Sequence, residues 1–456
     1  MKEIELKLTL ASEAMEAFRS DSLLGQISLK QTTEHLDNQY FDTPDLLLNK
    51  SHAALRIRKT PTHYVQTLKN KGQAIAGLHQ RGEWESPLDV KDGEAPQLNW
   101  EALPAEARPD LEIQQRIEPL FKTDFERTAW IIQHNNSEIE LVLDHGQISR
   151  GELYSPLCEV ELELKAGEAT DLFDFALQLA QRYPLVPCDV NKAERGYQLL
   201  NSQLSFFQPY ACNQETLDST AYITDALSRI SRRWDDFIHT RNWWLLVILQ
   251  RQIRGLLMAM TALDFHQDLR DAWQQVCAQF DGIIAPATLP VGLFVDRNNN
   301  SRGLSQRLLQ LLDGDMEGRL KTLVDSNQLG QAMLELGLYL YENQSTNYSA
   351  EPLLAKMQEQ LATIQNLDPN NLDDQLDCLP VLQAQAYLYN RIHHPCYEAL
   401  NAYVDQLLIV AGMRRAEQML PSLQDGDSRA KLASWTRRLT VELRALQDIH
   451  KPLQSC

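Results

Sequence analysis

The chain has 456 residues, 43% hydrophobic and 23% charged, with a formal net charge of -19, ordinary values for globular protein except for the acidic excess. That charge repels polyanions on average, so binding to a DNA or RNA backbone is not expected, and an anionic ligand needs a locally basic pocket. The seven cysteines (Cys158, Cys188, Cys212, Cys277, Cys378, Cys396 and Cys456) never form a C-x-x-C pair, which disfavours a zinc site or a disulfide framework and suits a reducing cytoplasm.

Period-two alternation opens the chain and predicts a strand over residues 3–10. A chain that starts on a strand leaves no expectation of a signal peptide. A helix is predicted over 12–24 with Ser12 as its N-cap. Strands follow over 54–59, 64–69, 78–85, 139–144 and 159–165, with turns at Lys71-Gly72, His145-Gly146 and Ala166-Gly167 and a helix over 168–183. Near residue 205 the alternation stops. Apolar residues then recur at helical spacing over 220–241, 243–264, 267–279, 305–312, 316–341, 352–365, 379–391, 396–415 and 428–450. The most apolar stretch, Trp243 to Leu249, is bounded by Arg241 and Arg251 and reads as buried helix core. No window is expected to span a membrane. The fold class expected is an α+β N-terminal domain over 1–204, a linker over 205–217 and an all-α bundle over 218–456.

What the strands alternate is the informative feature. Residues two apart share a face, so Glu3, Glu5 and Lys7 point one way and Ile4, Leu6 and Leu8 the other. Arg56 and Arg58 share a face, as do Arg81, Glu83 and Glu85; Glu140 and Asp144; and Glu159, Glu161, Glu163 and Lys165. One such strand is commonly a sheet with a wet face. Acids and bases recurring together on five strands, each opposite a clean apolar face, point instead to a barrel with a charged interior. Paired Glu-x-Glu carboxylates repel one another unless a cation lies between them, and carboxylates without thiol or imidazole partners suit a hard ion, Mg²⁺ or Mn²⁺. Arg and Lys on adjoining strands suit the oxygens of a phosphate chain.

The order of motifs adds a family resemblance. Glu3-Ile4-Glu5-Leu6-Lys7 resembles the N-terminal E-x-E-x-K signature of CYTH proteins, the triphosphate tunnel metalloenzymes. It is followed by Asn38-Gln39-Tyr40-Phe41-Asp42-Thr43-Pro44, Ala54-Leu55-Arg56-Ile57-Arg58, Thr67-Leu68-Lys69, Arg127, Glu140, Asp144, Glu159-Val160-Glu161 and Lys192-Ala193-Glu194-Arg195-Gly196-Tyr197, all in family order. The resemblance implies an eight-stranded antiparallel tunnel with flanking helices that hydrolyses triphosphates with divalent metal. It assigns Glu3, Glu5, Glu159 and Glu161 to the metal that bridges the phosphate oxygens, and Glu83 and Asp144 to a second metal. By the same resemblance Glu5, Glu83, Asp144 and Lys69 are catalytic. Lys7, Arg56, Arg58, Lys69, Arg81 and Arg127 bind phosphate, with Lys192 and Arg195 from a helix that plugs one mouth. Glu163 keeps the face of Glu161, and spacing does not choose between them. His79, beside Arg81, is read as touching substrate or as solvent-facing or structural; His35, His52 and His63 are assigned nothing.

The helical half is similar in architecture to CHAD domains, whose pattern places a His ahead of R-V-x-x-R-R-L-R. That resemblance implies polyphosphate as a partner of the helical half, but the corresponding stretch, Ile248 to Leu257, keeps Arg251 and Arg254 and lacks the histidine and most of the arginines that would bind it. Arg229, Arg232, Arg233 and Arg254 near Trp234, Trp243 and Trp244 read as a solvated face over inward tryptophans, with a docking surface as the other reading; His393-His394-Pro395 reads as a turn. The resemblance implies an inorganic triphosphatase acting on a small molecule, while the charge, the scattered cysteines and the hydropathy lead to the expectation of a cytoplasmic protein with no nucleic-acid or membrane partner. The alternatives are hydrolysis of nucleoside or thiamine triphosphates, with Trp84 or Tyr64 as base contacts, cyclisation of ATP, or a polyphosphate-binding module without chemistry.

Overall fold

The computed structural model describes residues 2–70, 72–91, 94–202, 204, 209–242, 244–295, 317–344, 346, 348–419 and 428–453. The helix expected over 305–312, Lys71, Trp243, the Trp244 side chain, Cys456 and linker residues 205–208 lie outside this description. The chain forms two compact units, Met1–Pro209 with Leu329–Asn343, and Tyr210–Gln328 with Gln344–Cys456.

The first unit is built on the strands β1 (Lys2–Leu10), β2 (Ser28–Asp42), β3 (Ala54–Lys59), β4 (Tyr64–Lys69), β5 (Gln73–Ile75), β6 (Leu78–Leu88), β7 (Glu118–His134), β8 (Ser137–Arg150), β9 (Leu153–Ala166) and β10 (Leu185–Pro187). Eight of them pair antiparallel in the order β1-β9-β8-β7-β2-β3-β4-β6, and β6 returns to β1, which closes the barrel. The apolar set of each strand faces outward and is covered: Leu6, Leu8, Leu141, Leu143, Val160 and Leu162 are fully buried. Helix α5 (Ala169–Ala180), after α1 (Met15–Arg19), α2 (Ser22–Ile27), α3 (Leu47–Lys50) and α4 (Leu111–Arg116), buries Leu172, Phe173, Ala176 and Leu179 against β1 and β9. Helix α6 (Lys192–Gln198) is capped by Asn191, whose side chain accepts from the Glu194 N–H.

Three local expectations are corrected. The stretch over 12–24 is broken into a 3₁₀ turn at Ser12–Ala14, then α1 and α2. Ser12 is not a cap; Asp21 is, accepting from the Leu23 N–H at 2.9 Å. His145-Gly146 is no turn but lies inside β8, and a Cβ on Gly146 would meet the Asp124 carbonyl and Phe125, so the glycine marks a close approach of strands. The tight turn of the β5–β6 hairpin is Ala76-Gly77, with φ of 49° and 82°, the left-handed pair that such a hairpin needs. Strands β2 and β7 escape the alternation rule. β2 is exposed along most of its first half, and β7 interrupts its alternation with Thr-Ala-Trp-Ile-Ile.

The second unit is helical: α7 (Ser219–Thr240), α8 (Trp244–Ala262), α9 (Gln267–Val295), then Glu351–Gln365, Leu372–Asp377, Leu379–Arg391, Tyr397–Met419 and Ser428–Leu453. The helix expected to end at 279 continues to Val295, since Phe280 and Ile283 extend its buried spacing. One window, Leu245–Ala262, does reach the length and apolarity of a membrane span, with mean hydropathy 1.2, contrary to the expectation; 61% of it is buried inside the protein. Arg251 and Arg254 on that helix are paired with Asp405 and Asp281 at 2.7 and 2.6 Å.

Candidate active site

The barrel interior is charged and mixed in sign, with carboxylates gathered on β1, β8 and β9 and further cations on β3, β4, β6 and β7. Strand β1 carries Glu3, Glu5 and Lys7 inward, and its register sets Lys7 opposite Glu161 and Glu5 opposite Glu163 on β9. β8 then sets Asp144 opposite Glu159. Backbone bonds fix Lys7: its N–H donates to the Gly77 carbonyl and its own carbonyl accepts from the Cys188 N–H, each at 2.9 Å. Asp144, Glu159 and Glu161 are buried and offer carboxylate oxygens within 4.8 Å of one another. Lys192, the first residue of α6, reaches this cluster. Its Nζ lies 2.7 Å from Asp144, 2.9 Å from Glu161 and against Glu159. Lys7 joins it, 3.1 Å from Glu159 and against Glu161, and Arg127 donates to Asp144 at 2.7 and 2.6 Å and to Glu161 at 3.0 Å.

Burial opposes ionisation of Asp144, but Arg127 and Lys192 outweigh it and hold the carboxyl below its usual range. Glu161 is likewise held down against burial by Lys192, Lys7 and Arg127. One acceptor remains over: Glu159 Oε2 is buried without a hydrogen-bond partner among the described residues. Three buried carboxylates with an unfilled oxygen form a hard, anionic donor set of the kind Mg²⁺ or Mn²⁺ takes. The residues fit such an ion.

Glu3 and Glu5 turn toward β6 and β4. Glu3 accepts from Arg81 Nε at 3.0 Å and Lys69 Nζ at 2.8 Å, and Glu5 accepts from Arg81 Nη2. Lys69 also lies 3.1 Å from Glu83. Burial and the nearby charge of Glu3 push the Glu83 carboxyl up to about 7, against the pull of Lys69. Further round, the two arginines of β3 are less compensated. Arg56 has Glu83 and Glu85 only at 3.9 and 3.8 Å, and its Nε is buried with no partner among the described residues. Arg58 forms no ion pair among the described residues; its Nε donates to Asn38 Oδ1 at 2.9 Å. Burial and the neighbouring guanidinium groups of Arg56 and Arg127 pull Arg58 down to about 9, still cationic at neutral pH.

The register thus brings together Glu3, Glu5, Lys7, Arg56, Arg58, Lys69, Arg81, Glu83, Arg127, Asp144, Glu159, Glu161 and Lys192. Glu163 pairs with Lys165 at 2.8 Å and is more exposed than Glu159 and Glu161. Arg195 is buried on α6 with its guanidinium 3.7 Å from the Cys188 thiol. His79 is buried opposite Glu5, its Nε2 3.1 Å from the Cys188 carbonyl. Trp84 and Tyr64 face outward and do not read a base inside the barrel. Trp84 packs with Leu48, Leu55, Leu68 and Leu103, and Tyr64 lies opposite Lys59 across β3–β4. Asn38, Tyr40 and Phe125 were missed as site residues. They stand on inward positions of β2 and β7; Asn38 and Tyr40 lie two apart on β2, the spacing that puts both on one face of a strand.

In the helical unit Arg229 pairs with Asp225 at 2.7 Å and Arg233 with Asp236 at 3.2 Å. Trp234 is buried against Phe237 and Phe280. His393 adopts φ of 51°, and His394 stacks on Tyr389, as a turn requires.

Residues 1–197 match the family model of the CYTH domain. Over 204 residues the chain is 35% identical to an inorganic triphosphatase of Haemophilus influenzae, covering 44% of this chain and 56% of that protein. The chain therefore spans little more than half the length of this curated relative. Among solved structures, an adenylyl cyclase-like protein from Hippeastrum, described as having a dominant triphosphatase activity, aligns at 19% identity and a TM-score of 0.33 over 43% of this chain and 95% of its own. A CHAD domain from the plant Ricinus communis aligns at 15% identity and a TM-score of 0.42 over 55% of this chain and 97% of its own. This chain carries a CYTH domain at residues 1–197.

Proposed function

We propose that this CYTH domain is a metal-dependent inorganic triphosphatase, splitting tripolyphosphate into pyrophosphate and phosphate. The observation that carries the reading is the presence of both charges inside one closed barrel: a cluster of buried Asp144, Glu159 and Glu161 in an interior that also presents Arg56, Arg58, Lys69 and Arg81. Asp144, Glu159 and Glu161 hold Mg²⁺ or Mn²⁺ in this reading, with Glu3 and Glu5 as further donors from β1. When bound, the ion neutralises phosphate charge and polarises phosphoryl oxygens.

The arginines and lysines of β3, β4, β6 and β7 grip the phosphate chain, and Lys192 reaches the carboxylate cluster. Water attacks a terminal phosphorus, the P–O–P bond to it breaks, and pyrophosphate leaves with the bond electrons. Glu83, whose carboxyl sits at about 7, takes the proton of the attacking water. A polyanion binder without chemistry has no use for six inward carboxylates (Glu3, Glu5, Glu83, Asp144, Glu159 and Glu161). The cytoplasm is the proposed compartment.

The test is phosphate release from tripolyphosphate, ATP, thiamine triphosphate and long-chain polyphosphate with Mg²⁺, Mn²⁺ or EDTA. Metal-dependent release from tripolyphosphate in preference to the others is the expected result. Preference for ATP or thiamine triphosphate would replace the substrate, and no release from any would retire the reading. Glu5→Ala is expected to abolish turnover, whereas in a mere binder it would leave or raise anion affinity.

A further inference from the structure

Six inward cations (Lys7, Lys69, Arg81, Arg127, Lys192 and, more loosely, Arg56) are each set against at least one carboxylate within 4 Å. Arg58 is held differently. Asn38 lies directly opposite it on β2, is fully buried, and accepts from Arg58 Nε at 2.9 Å while its own amide donates to the Thr123 carbonyl at 3.3 Å. The second bond fixes which way the amide points: Nδ2 toward β7, Oδ1 toward Arg58. A long arginine side chain is thereby held in place without spending its charge, because an amide oxygen orients a guanidinium and does not neutralise it. Beside it Arg56 has Glu83 and Glu85 only at 3.9 and 3.8 Å and a buried Nε without a partner among the described residues, so the two guanidinium groups are the least closely neutralised of these cations.

We propose that Asn38 is a positioning residue that presents Arg58, with its charge uncompensated, to an anionic phosphoryl group. The proposal rests on the triphosphatase reading for the identity of that anion. An aspartate at position 38 would orient Arg58 as well or better and would cancel the charge, as carboxylates do for the neighbouring cations. The amide is what keeps this wall attractive to phosphate when no metal is bound.

The experiment compares full-length wild type, N38D, N38A, R58A and the N38A/R58A double variant. The readouts are KM and kcat for tripolyphosphate with Mg²⁺, and calorimetric binding of tripolyphosphate in EDTA. N38D is expected to weaken binding in EDTA and raise KM by about tenfold or more, with kcat within about twofold, since a charge-assisted contact is lost from binding. N38A is expected to weaken binding in the wild-type background and to add nothing to R58A, because a residue acting through another is silent once that partner is gone. Wild-type affinity in N38D, additive effects of N38A and R58A, or no binding by wild type in EDTA would each overturn the proposal. The cycle uses alanine variants, so it stands if N38D alone folds poorly. Binding without turnover in the wild type would retire the triphosphatase reading while the Asn38–Arg58 coupling is still measured.

Discussion

At Glu83 burial and the charge of Glu3 raise the carboxyl to about 7 from an ordinary value of 4.5. The native state then binds more protons than the unfolded chain between those values, so this group's contribution is fully present below about 4.5 and is lost as pH rises through about 7. E83Q removes that loss. Its unfolding midpoint is expected to exceed that of wild type at pH 8 and not at pH 4, in thermal melts at matched ionic strength. In the proposed mechanism the same proton must be absent for turnover, so kcat is expected to rise through about 7 in wild type and to lose that rise in E83Q. Glu159 answers a different question. Its unpartnered oxygen sits inside the three-carboxylate cluster, and E159Q is expected to lower activity by at least the roughly 100-fold that losing an outer-sphere partner of a metal costs. An unchanged metal dependence in that variant would sink the assignment of the cluster.

Helix α6 shows how an element earns its position. Tyr197 donates to Asp42 Oδ2 at 2.7 Å, and Asp42 also accepts from the N–H groups of Thr43, Leu48 and Asn49. Gly196 lies on Phe121, where a Cβ would collide with the ring. These contacts seat the helix whose first residue is Lys192. Y197F leaves a buried carboxylate oxygen short of one donor and is expected to cost about 1–3 kcal/mol in urea unfolding, whereas G196A is expected to displace α6 and lower activity as well. Most of the strands of the barrel, and the helix before α6, were legible because period-two and helical spacing are local signals. β2 and β7 were not. Their burial is set by partners far along the chain, and a strand half exposed or rich in consecutive apolar residues carries no clean alternation.

On the scale of the whole molecule, the described chain folds as two units, and the helix Gln328–Glu342 belongs with the barrel although it lies late in the sequence. Gly330 meets the Leu185 carbonyl and Gly337 meets Ala76 and Phe173, so close that a Cβ at either position would clash. A chain ended at Pro209 lacks that cover, and its barrel is expected to melt at lower temperature than the full chain by calorimetry. Added Mg²⁺ or Mn²⁺ is expected to raise the melting temperature of the barrel unit by up to the equivalent of about 2.7 kcal/mol at a hundredfold excess over Kd, reversed by EDTA. The sequence by itself determined that charged and apolar faces alternate on strand after strand, and hence that the interior of the barrel is polar and mixed in sign, because a strand sorts its own side chains two by two. Only the tertiary structure decided which acids meet as a cluster, which cations they neutralise, and which one is left to an amide. Those outcomes depend on the register between strands up to 150 or so residues apart, such as Lys7 against Glu161, and register is a property of the closed sheet.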